Sequence, residues 1–476
     1  MVTMPTDISF EDMVAMGRAV EEGATTPLAL VERAIERVEA VNGQLNFILT
    51  RNYDQARAQA ARPPSGPFSG VPTLIKDHVA QKGLPLTFGC PALRNYVPTE
   101  DAPYIQAIEQ GGLVSIARST LPELGLNVVT ESPWFGITRN PWNPDYTSGG
   151  SSGGGAAAVA AGAVPVAHAS DGLGSIRHGA GPCGLVGLKP SRGRNVGDEA
   201  MRSISDLVVS GCVSRTVRDT DAWLQITQSR DPGAAHAPIA PVTEPLSRKL
   251  RIRAYGSLMR TGGSVEASVG RVFAETISLL DRLGHSVSDG ALPFDGPQAI
   301  ENLTNVAAGR FARSFEAIPI EFGHPILFDD LEYRSQTLVE AGRRVDDAQL
   351  ADLLKRMEVD AAAYLRMFDE IDIWMTPTHG TEIPKVEVLG PTTSWDDTAH
   401  EIADYAGFCW IDNFAGSTAI TLPIGLSDRG LPVGVQFATK PGGEGLLLAL
   451  ALQIEAVVQW WRRTPPIWVG DASNRD

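Results

Sequence analysis

The densest concentration of reactive and conformationally free residues lies between Tyr146 and Arg194, which reads YTSGGSSGGGAAAVAAGAVPVAHASDGLGSIRHGAGPCGLVGLKPSRGR. Ser151 and Ser152 sit inside the run Gly149–Gly155, where glycines permit positive φ and close approach of other groups. Ala156–Ala161 suits a tightly packed buried helix. Further on, Asp171-Gly172-Leu173-Gly174-Ser175 offers successive backbone N–H groups in a tight turn, a nest able to hold an oxyanion beside the Ser175 hydroxyl. A serine hydroxyl is a poor nucleophile until a neighbour takes its proton. A lysine does this only when neutral, and burial is what disfavours its charged form. Taking it from about 10.4 to about 7.4 costs roughly 4 kcal/mol, so such a site must exclude water and lack a close carboxylate partner. Lys76 directly follows the apolar run Val71–Ile75 and is one of only seven lysines in the chain.

Competing readings of the same residues are weaker. Gly149-x-Ser151-x-Gly153 has the form of a nucleophile elbow, but that motif follows an apolar strand, and Trp142-Asn143-Pro144-Asp145-Tyr146 does not read as one. No lysine has a serine three positions earlier, and no G-K-[ST] follows the glycines, which removes an S-x-x-K nucleophile and a phosphate-binding loop. The eight histidines show no metal-ligand spacing, so no metal is expected. His78 and His178 flank the reactive segments and read as structural or pocket-lining. Cys183 reads as a small packing residue. Phe408, Trp410 and Phe414 read as ordinary core. Taken singly, Lys76 would be a strand-end lysine and Ser175 a turn serine.

These residues need a rigid frame. Thr26 caps a helix opened by Pro27, with Leu28, Val31, Ile35, Val38 and Val41 on one stripe and Asn42-Gly43 expected to end it. The first 60 residues read as helical, followed by a loop over Arg62–Gly70. Short apolar runs (Val71–Ile75, Gly112–Ile116, Ala163–Ala167) then alternate with helical patterns, which predicts an α/β fold with a mixed sheet. Ser229–Pro245 reads as a linker-like surface crossing. Strands are expected at Leu250–Ala254, His285–Val287, Ile371–Met375, Thr418–Leu422 and Val433–Phe437, a helix over Val265–Leu283, and mostly helix over Glu301–Phe368. The chain of 476 residues carries 40 basic and 56 acidic residues, a net charge of -16, which argues against a nucleic-acid partner. No apolar run reaches the roughly 20 residues a membrane span needs, the longest near the end being Leu446–Leu452. Met1–Phe10 shows no secretory pattern, and four scattered cysteines give no C-x-x-C, so the cytoplasm is expected.

The chain resembles the amidase signature family of serine hydrolases over most of its length. Gly70-Val71-Pro72-Thr73-Leu74-Ile75-Lys76-Asp77 is similar to that family's lysine strand, Gly149–Gly154 to its serine-glycine loop, and Asp171–Arg177 to its nucleophile turn. Cys183-Gly184, Gly187-Leu188-Lys189-Pro190, Gly193-Arg194 and Leu431–Gln436 continue the pattern, and the spacing of the two serines matches. The resemblance implies one amidase domain over 1–476: an N-terminal helical segment (1–65), a signature core (66–228), a crossing (229–249), and a variable helical region with C-terminal strands (250–476). Its fold is a mixed twisted sheet covered by helices on both faces. It implies Lys76 as base, Ser151 after a cis peptide bond as the bridging serine, and Ser175 as nucleophile. Gly172, Leu173 and Gly174 frame the oxyanion site, and Leu124, Gly125 and Asn127 the acyl pocket. Ser152 supports the network, and Asp171 and Arg177 form an ion pair under the turn. Leu173 stands where the family has glycine, and a leucine at positive φ would be strained. Gly179 replaces a frequent proline.

Trp134–Asn143 and Leu422-Pro423-Ile424-Gly425 look most like the branch acting on 6-aminohexanoate cyclic dimer, aryl amides and carbamates. The implied activity is cofactor-free hydrolysis of small, largely apolar amides, anilides, lactams or urethanes, with a homodimer compatible with the family. A glutaminase subunit of a tRNA-dependent amidotransferase and a non-catalytic binding protein of the same fold stand as alternatives.

Overall fold

The computed structural model describes residues 12–470 apart from Pro64, Glu199, Arg202 and 323–325, and leaves the side chains of 318–322 undescribed. The Met1–Phe10 reading therefore lies outside the described residues. The frame is one eleven-stranded sheet. Its strands are β1 (Ile48–Arg51), β2 (Pro72–Lys76), β3 (Val114–Ser119), β4 (Val166–Asp171), β5 (Val186–Lys189) and β6 (Val209–Ser214). They continue with β7 (Arg251–Ala254), β8 (Ser286–Asp289), β9 (Ile373–Pro377), β10 (Thr418–Leu426) and β11 (Pro432–Thr439). In space they run β1-β3-β2-β4-β6-β5-β10-β11-β9-β7-β8. β2 is parallel to β3 and β4, and β7 is parallel to β8 and β9; the pairs between these groups are antiparallel. This is the mixed α/β sheet that the alternation of patterns implies.

Period-two alternation assigns side chains to the two faces of β2. Leu74 packs with Ala167, Ala169 and the helix Gly153–Ala160 on one face, whereas Val71 and Ile75 pack with Tyr104, Ile108 and Trp223 on the other. Lys76 shares the parity of Leu74, so its side chain leaves the sheet toward the start of that helix. Every residue of Gly153–Ala160 is buried. Glycine and alanine let the helix lie close on the sheet: a Cβ on Gly154 would come within 2.4 Å of Thr120 Oγ1 and 2.6 Å of its backbone.

The structure moves several expected boundaries. The helix from Pro27 runs through Asn42-Gly43 to Leu45, because Asn46 supplies the left-handed cap at φ 55°. Asn42 Oδ1 accepts the N–H groups of Phe47 and Ile48, turning the chain into β1. β1 interrupts the segment expected to be helical, between helices Pro27–Leu45 and Tyr53–Ala60. Asn143–Thr147, read as no strand, forms a two-stranded ribbon with Arg139–Asn140; it lies outside the large sheet, so the serine loop does not follow a core strand. Between Thr227 and Arg251 the described residues form no helix or strand. No described helix is long and apolar enough to cross a membrane.

Two glycines within helices should respond oppositely to alanine. Gly43 is exposed with nothing within 4 Å of a built Cβ, so Gly43→Ala gains about 0.5–1 kcal/mol. Gly154→Ala overpacks its contact with Thr120 and loses about 1–3 kcal/mol. Urea unfolding of the two variants beside the parent reads both signs.

Candidate active site

Three backbone segments meet at the C-terminal ends of β2 and β4. The parallel register Thr73↔Val166 and Leu74↔Ala167 lays the ends of these two strands beside each other. The helix Gly153–Ala160 begins above them, preceded by Ser151 and Ser152 and a cis Gly150–Ser151 peptide bond. Lys76 Nζ lies 2.8 Å from Ser151 Oγ, 3.0 Å from Ser152 Oγ and 3.0 Å from Ser170 Oγ. All four side chains are buried. Ser152 Oγ donates to the Ser170 carbonyl at 3.2 Å and accepts the Ser170 N–H at 3.3 Å, which fixes the cradle. Ser170 is the member that the sequence reading missed; its signal is a hydroxyl at the end of a strand parallel to the lysine strand.

Burial pushes the Lys76 amine down to about 7, and the charge of Asp171 opposes this. Among the described residues no carboxylate touches the amine. Asp77, the next residue, belongs to the opposite face, where it pairs with Arg118 at 3.0 Å and accepts the Thr87 N–H at 3.0 Å. His168 approaches the same strand from β4, its Nδ1 3.3 Å from the Lys76 backbone N–H, and burial holds its imidazole neutral.

The turn 171–175 is set by the Asp171 carboxylate. It accepts Gly174 N–H at 2.7 Å, Ile176 N–H at 3.2 Å, Arg177 Nε at 2.9 Å and Nη2 at 3.0 Å, and Asn413 Nδ2 at 2.9 Å. Burial works against this carboxylate's charge, but Arg177 holds it well below the usual range. The expected Asp171–Arg177 ion pair is therefore present, and wider than expected: Arg177 also reaches Asp412 and Gln436, each at 2.8 Å, and Asn413 at 2.7 Å. Local sequence could not give these partners, because more than 200 positions separate them from Arg177.

Of the four N–H groups expected to frame an oxyanion, that of Gly174 is taken by Asp171. Those of Gly172, Leu173 and Ser175 have no acceptor among the described residues. The positive φ of the turn falls on Gly174, at +124°, and not on Leu173, so the leucine is accommodated without strain. Its half-buried side chain packs on the cluster holding Phe408, Trp410 and Phe414, which are core residues as expected. Ser175 is half-buried, and its Oγ has no hydrogen-bond partner among the described residues, Ser151 included.

Leu124–Asn127 lies across the serine loop. A Cβ on Gly125 would lie 3.5 Å from Ser151 Oγ, and one on Gly150 would meet the Asn127–Val129 backbone at 2.8–2.9 Å. Leu124 itself is left-handed at φ 53° and packs toward Phe311 and Phe315. The Asn127 amide is already engaged: Nδ2 donates to Leu389 carbonyl at 2.7 Å, and Oδ1 accepts Val128 N–H at 2.8 Å. Cys183 is buried packing, with burial raising its thiol. Among the described residues no group of three or more His, Cys, Asp or Glu side chains is arranged to hold a metal.

Similarity to known proteins extends over nearly the whole chain. The Amidase family model matches residues 29–448. The chain is 31% identical over 479 residues to the 6-aminohexanoate-cyclic-dimer hydrolase of Paenarthrobacter ureafaciens, covering 96% of this chain and 97% of that enzyme. The solved structure of a 6-aminohexanoate cyclic dimer hydrolase complexed with substrate superposes with a TM-score of 0.89 at 30% identity, covering 96% of this chain and 99% of that one. A bacterial aryl acylamidase of the amidase signature enzymes superposes with a TM-score of 0.84 at 25% identity, covering 95% and 98%.

The depressed Lys76 amine has a signature in stability. Lys76→Met keeps the apolar stem and removes the titration. Because the folded value lies below the unfolded one, the parent loses stability as pH falls from about 10.5 toward about 7. Below that it loses no more. The gap between variant and parent should widen in the variant's favour by about 1.4 kcal/mol per pH unit over this window. Urea titrations from pH 7 to 10 measure it, and a pH-independent gap means an amine that stays charged.

Proposed function

The chain belongs to the amidase signature family of amide hydrolases, and on that premise we propose that it cleaves small, largely apolar amides, anilides, lactams or carbamates through Lys76, Ser151 and Ser175. The observation that carries this reading is the contact of a buried amine, lowered to about 7, with Ser151 Oγ at 2.8 Å.

In the proposed cycle the neutral Lys76 Nζ accepts the Ser151 hydroxyl proton, and Ser151 accepts that of Ser175. Ser175 Oγ attacks the carbonyl carbon, and the carbonyl π electrons move to oxygen. The N–H groups of Gly172, Leu173 and Ser175, which have no acceptor among the described residues, receive that oxyanion. Its collapse breaks the C–N bond. Ser151 delivers a proton to the leaving nitrogen and is resupplied by the Lys76 ammonium, leaving Ser175 acylated. Water then gives its proton to the same relay, attacks the acyl carbon, and releases an acid or a carbamic acid with Ser175 reprotonated. Hydrogen bonds of this kind often tighten only when substrate is bound, which accommodates the open Ser175 hydroxyl.

The apolar surroundings of the site support the substrate class. Leu124 and Leu126 pack against the cluster that holds Phe311 and Phe315, and Leu173 packs against the one that holds Trp410. Burial raises Glu332 to about 8 and Glu131 to about 7, which reduces negative charge on the segments bordering Leu124–Asn127 near neutral pH. An uncharged acyl or amine group suits such surroundings. The 1–476 single-domain organisation is part of the same proposal.

A panel of p-nitroanilides, cyclic and linear amides, and aryl carbamates tests the class by amine release; a preference for glutamine over all of them overturns it. Ser175→Ala should lower turnover by roughly 10⁴-fold or more while the fold survives, and should abolish fluorophosphonate labelling. Parent kcat/KM should rise with pH through about 7 and level off above it, because only the neutral amine accepts a proton. A profile that falls through the same range overturns the neutral-lysine base.

A further inference from the structure

A second buried relay stands behind the nucleophile turn. His178 Nδ1 and His379 Nε2 are 3.1 Å apart, and both rings are buried. The His379 ring stacks on Tyr405 with centroids 4.2 Å apart and planes at 16°. The other edge of His178 packs on the Gly174 Cα: a Cβ on Gly174 would lie 2.1 Å from His178 Nε2, which has no hydrogen-bond partner among the described residues. Gly174 is thus held from two sides, its N–H by the Asp171 carboxylate at 2.7 Å and its Cα by the edge of the His178 ring. The backbone of His178 belongs to the same clamp. Its N–H donates to Gly174 carbonyl at 2.6 Å, and its carbonyl would meet a Cβ on Gly149 at 2.0 Å. One residue therefore touches both the nucleophile turn and the serine-glycine loop.

We propose that His178 and His379 are positioning residues for the amidase reaction: His379 Nε2 and His178 Nδ1 share a hydrogen bond, and the imidazole so oriented packs against Gly174 and holds the turn, and with it the Ser175 hydroxyl and the N–H groups beside it. This rests on the proposed nucleophile role of Ser175. A neutral imidazole has one N–H, so across the 3.1 Å contact one ring donates and the other accepts. The surrounding groups do not supply the same bond: Cys409 Sγ, 4.0 Å from His178 Nδ1, lies 3.2 Å from Gln436 Oε1, and the Tyr405 hydroxyl has no partner among the described residues.

Three variants separate hydrogen bonding from packing. His379→Phe keeps an aromatic ring for the Tyr405 stack and removes the hydrogen-bonding nitrogens. His379→Gln restores a side chain able to donate or accept that bond. Tyr405→Leu removes the stack that fixes the His379 ring. With the chain folded by thermal melt, the Phe and Leu variants should show fluorophosphonate labelling of Ser175 slowed about 10- to 100-fold and kcat lowered to match, with KM within about threefold of the parent. The Gln variant should recover to within about fivefold. Unchanged labelling in the Phe variant, or in the Leu variant should the Phe variant not fold, overturns the inference, as does a Gln variant as slow as the Phe variant. A parent that takes no label overturns the nucleophile reading itself and the positioning role with it.

Discussion

An amine kept without its charge is the constraint from which the rest of the site follows. Among the described residues Lys76 Nζ meets three hydroxyls and no carboxylate. Holding it near 7 against a solution value of 10.5 costs roughly 5 kcal/mol of folding free energy. A single carboxylate in contact would undo this, because a buried ion pair favours the charged form. Yet acidic residues stand close in sequence and space. Strand parity sends Asp77 to the far face to meet Arg118, and Arg177 with Asn413 occupies Asp171. Each neighbouring negative charge is matched by a cation that is not Lys76. The buried ion pairs are thus part of how the amine stays neutral, whatever their own net contribution to stability.

The same Asp171 carboxylate couples the amine's electrostatics to the shape of the turn. It accepts two backbone N–H groups of the turn while bonded to Arg177, whose remaining donors reach Asp412, Asn413 and Gln436 on elements from the other end of the chain. The turn is therefore anchored to β11 and the helix Trp410–Ala415, not only to the strand that leads into it. β5 lies at the centre of the sheet, pairing with β6 on one side and β10 on the other, and so sets the distance between the serine-bearing half and the half that supplies these anchors.

Local patterns carried much of this and topology carried the rest. Lys76, Ser151 and Ser175 stand in segments whose composition is unusual enough to be read alone, and β2, β4, β9, β10 and β11 fall on apolar runs with shifted ends. β5 was not read as a strand because Val-Gly-Leu-Lys lacks both length and alternation. β1 was lost inside a helical context because one asparagine, Asn42, redirects the chain through its side chain. The strain feared at Leu173 is absent because Gly174 takes the left-handed position, while the left-handed residue that does occur, Leu124, gave no sequence signal. Asp412, Asn413, Gln436 and His379 are invisible as site residues until the sheet closes.

Close approach explains why so few residue types occupy the centre. Gly149 faces the His178 carbonyl, Gly150 the Asn127–Val129 backbone, Gly153 the Thr130 side chain and Gly154 that of Thr120, in each case nearer than a Cβ permits. Backbone packed against backbone excludes water without placing large side chains over the serines. Large side chains would have shielded the amine equally well, but they would have closed the approach to Ser175. The glycines keep the amine dry from behind and leave the hydroxyl half-exposed in front, so dryness at Lys76 and access at Ser175 are met by one structural choice.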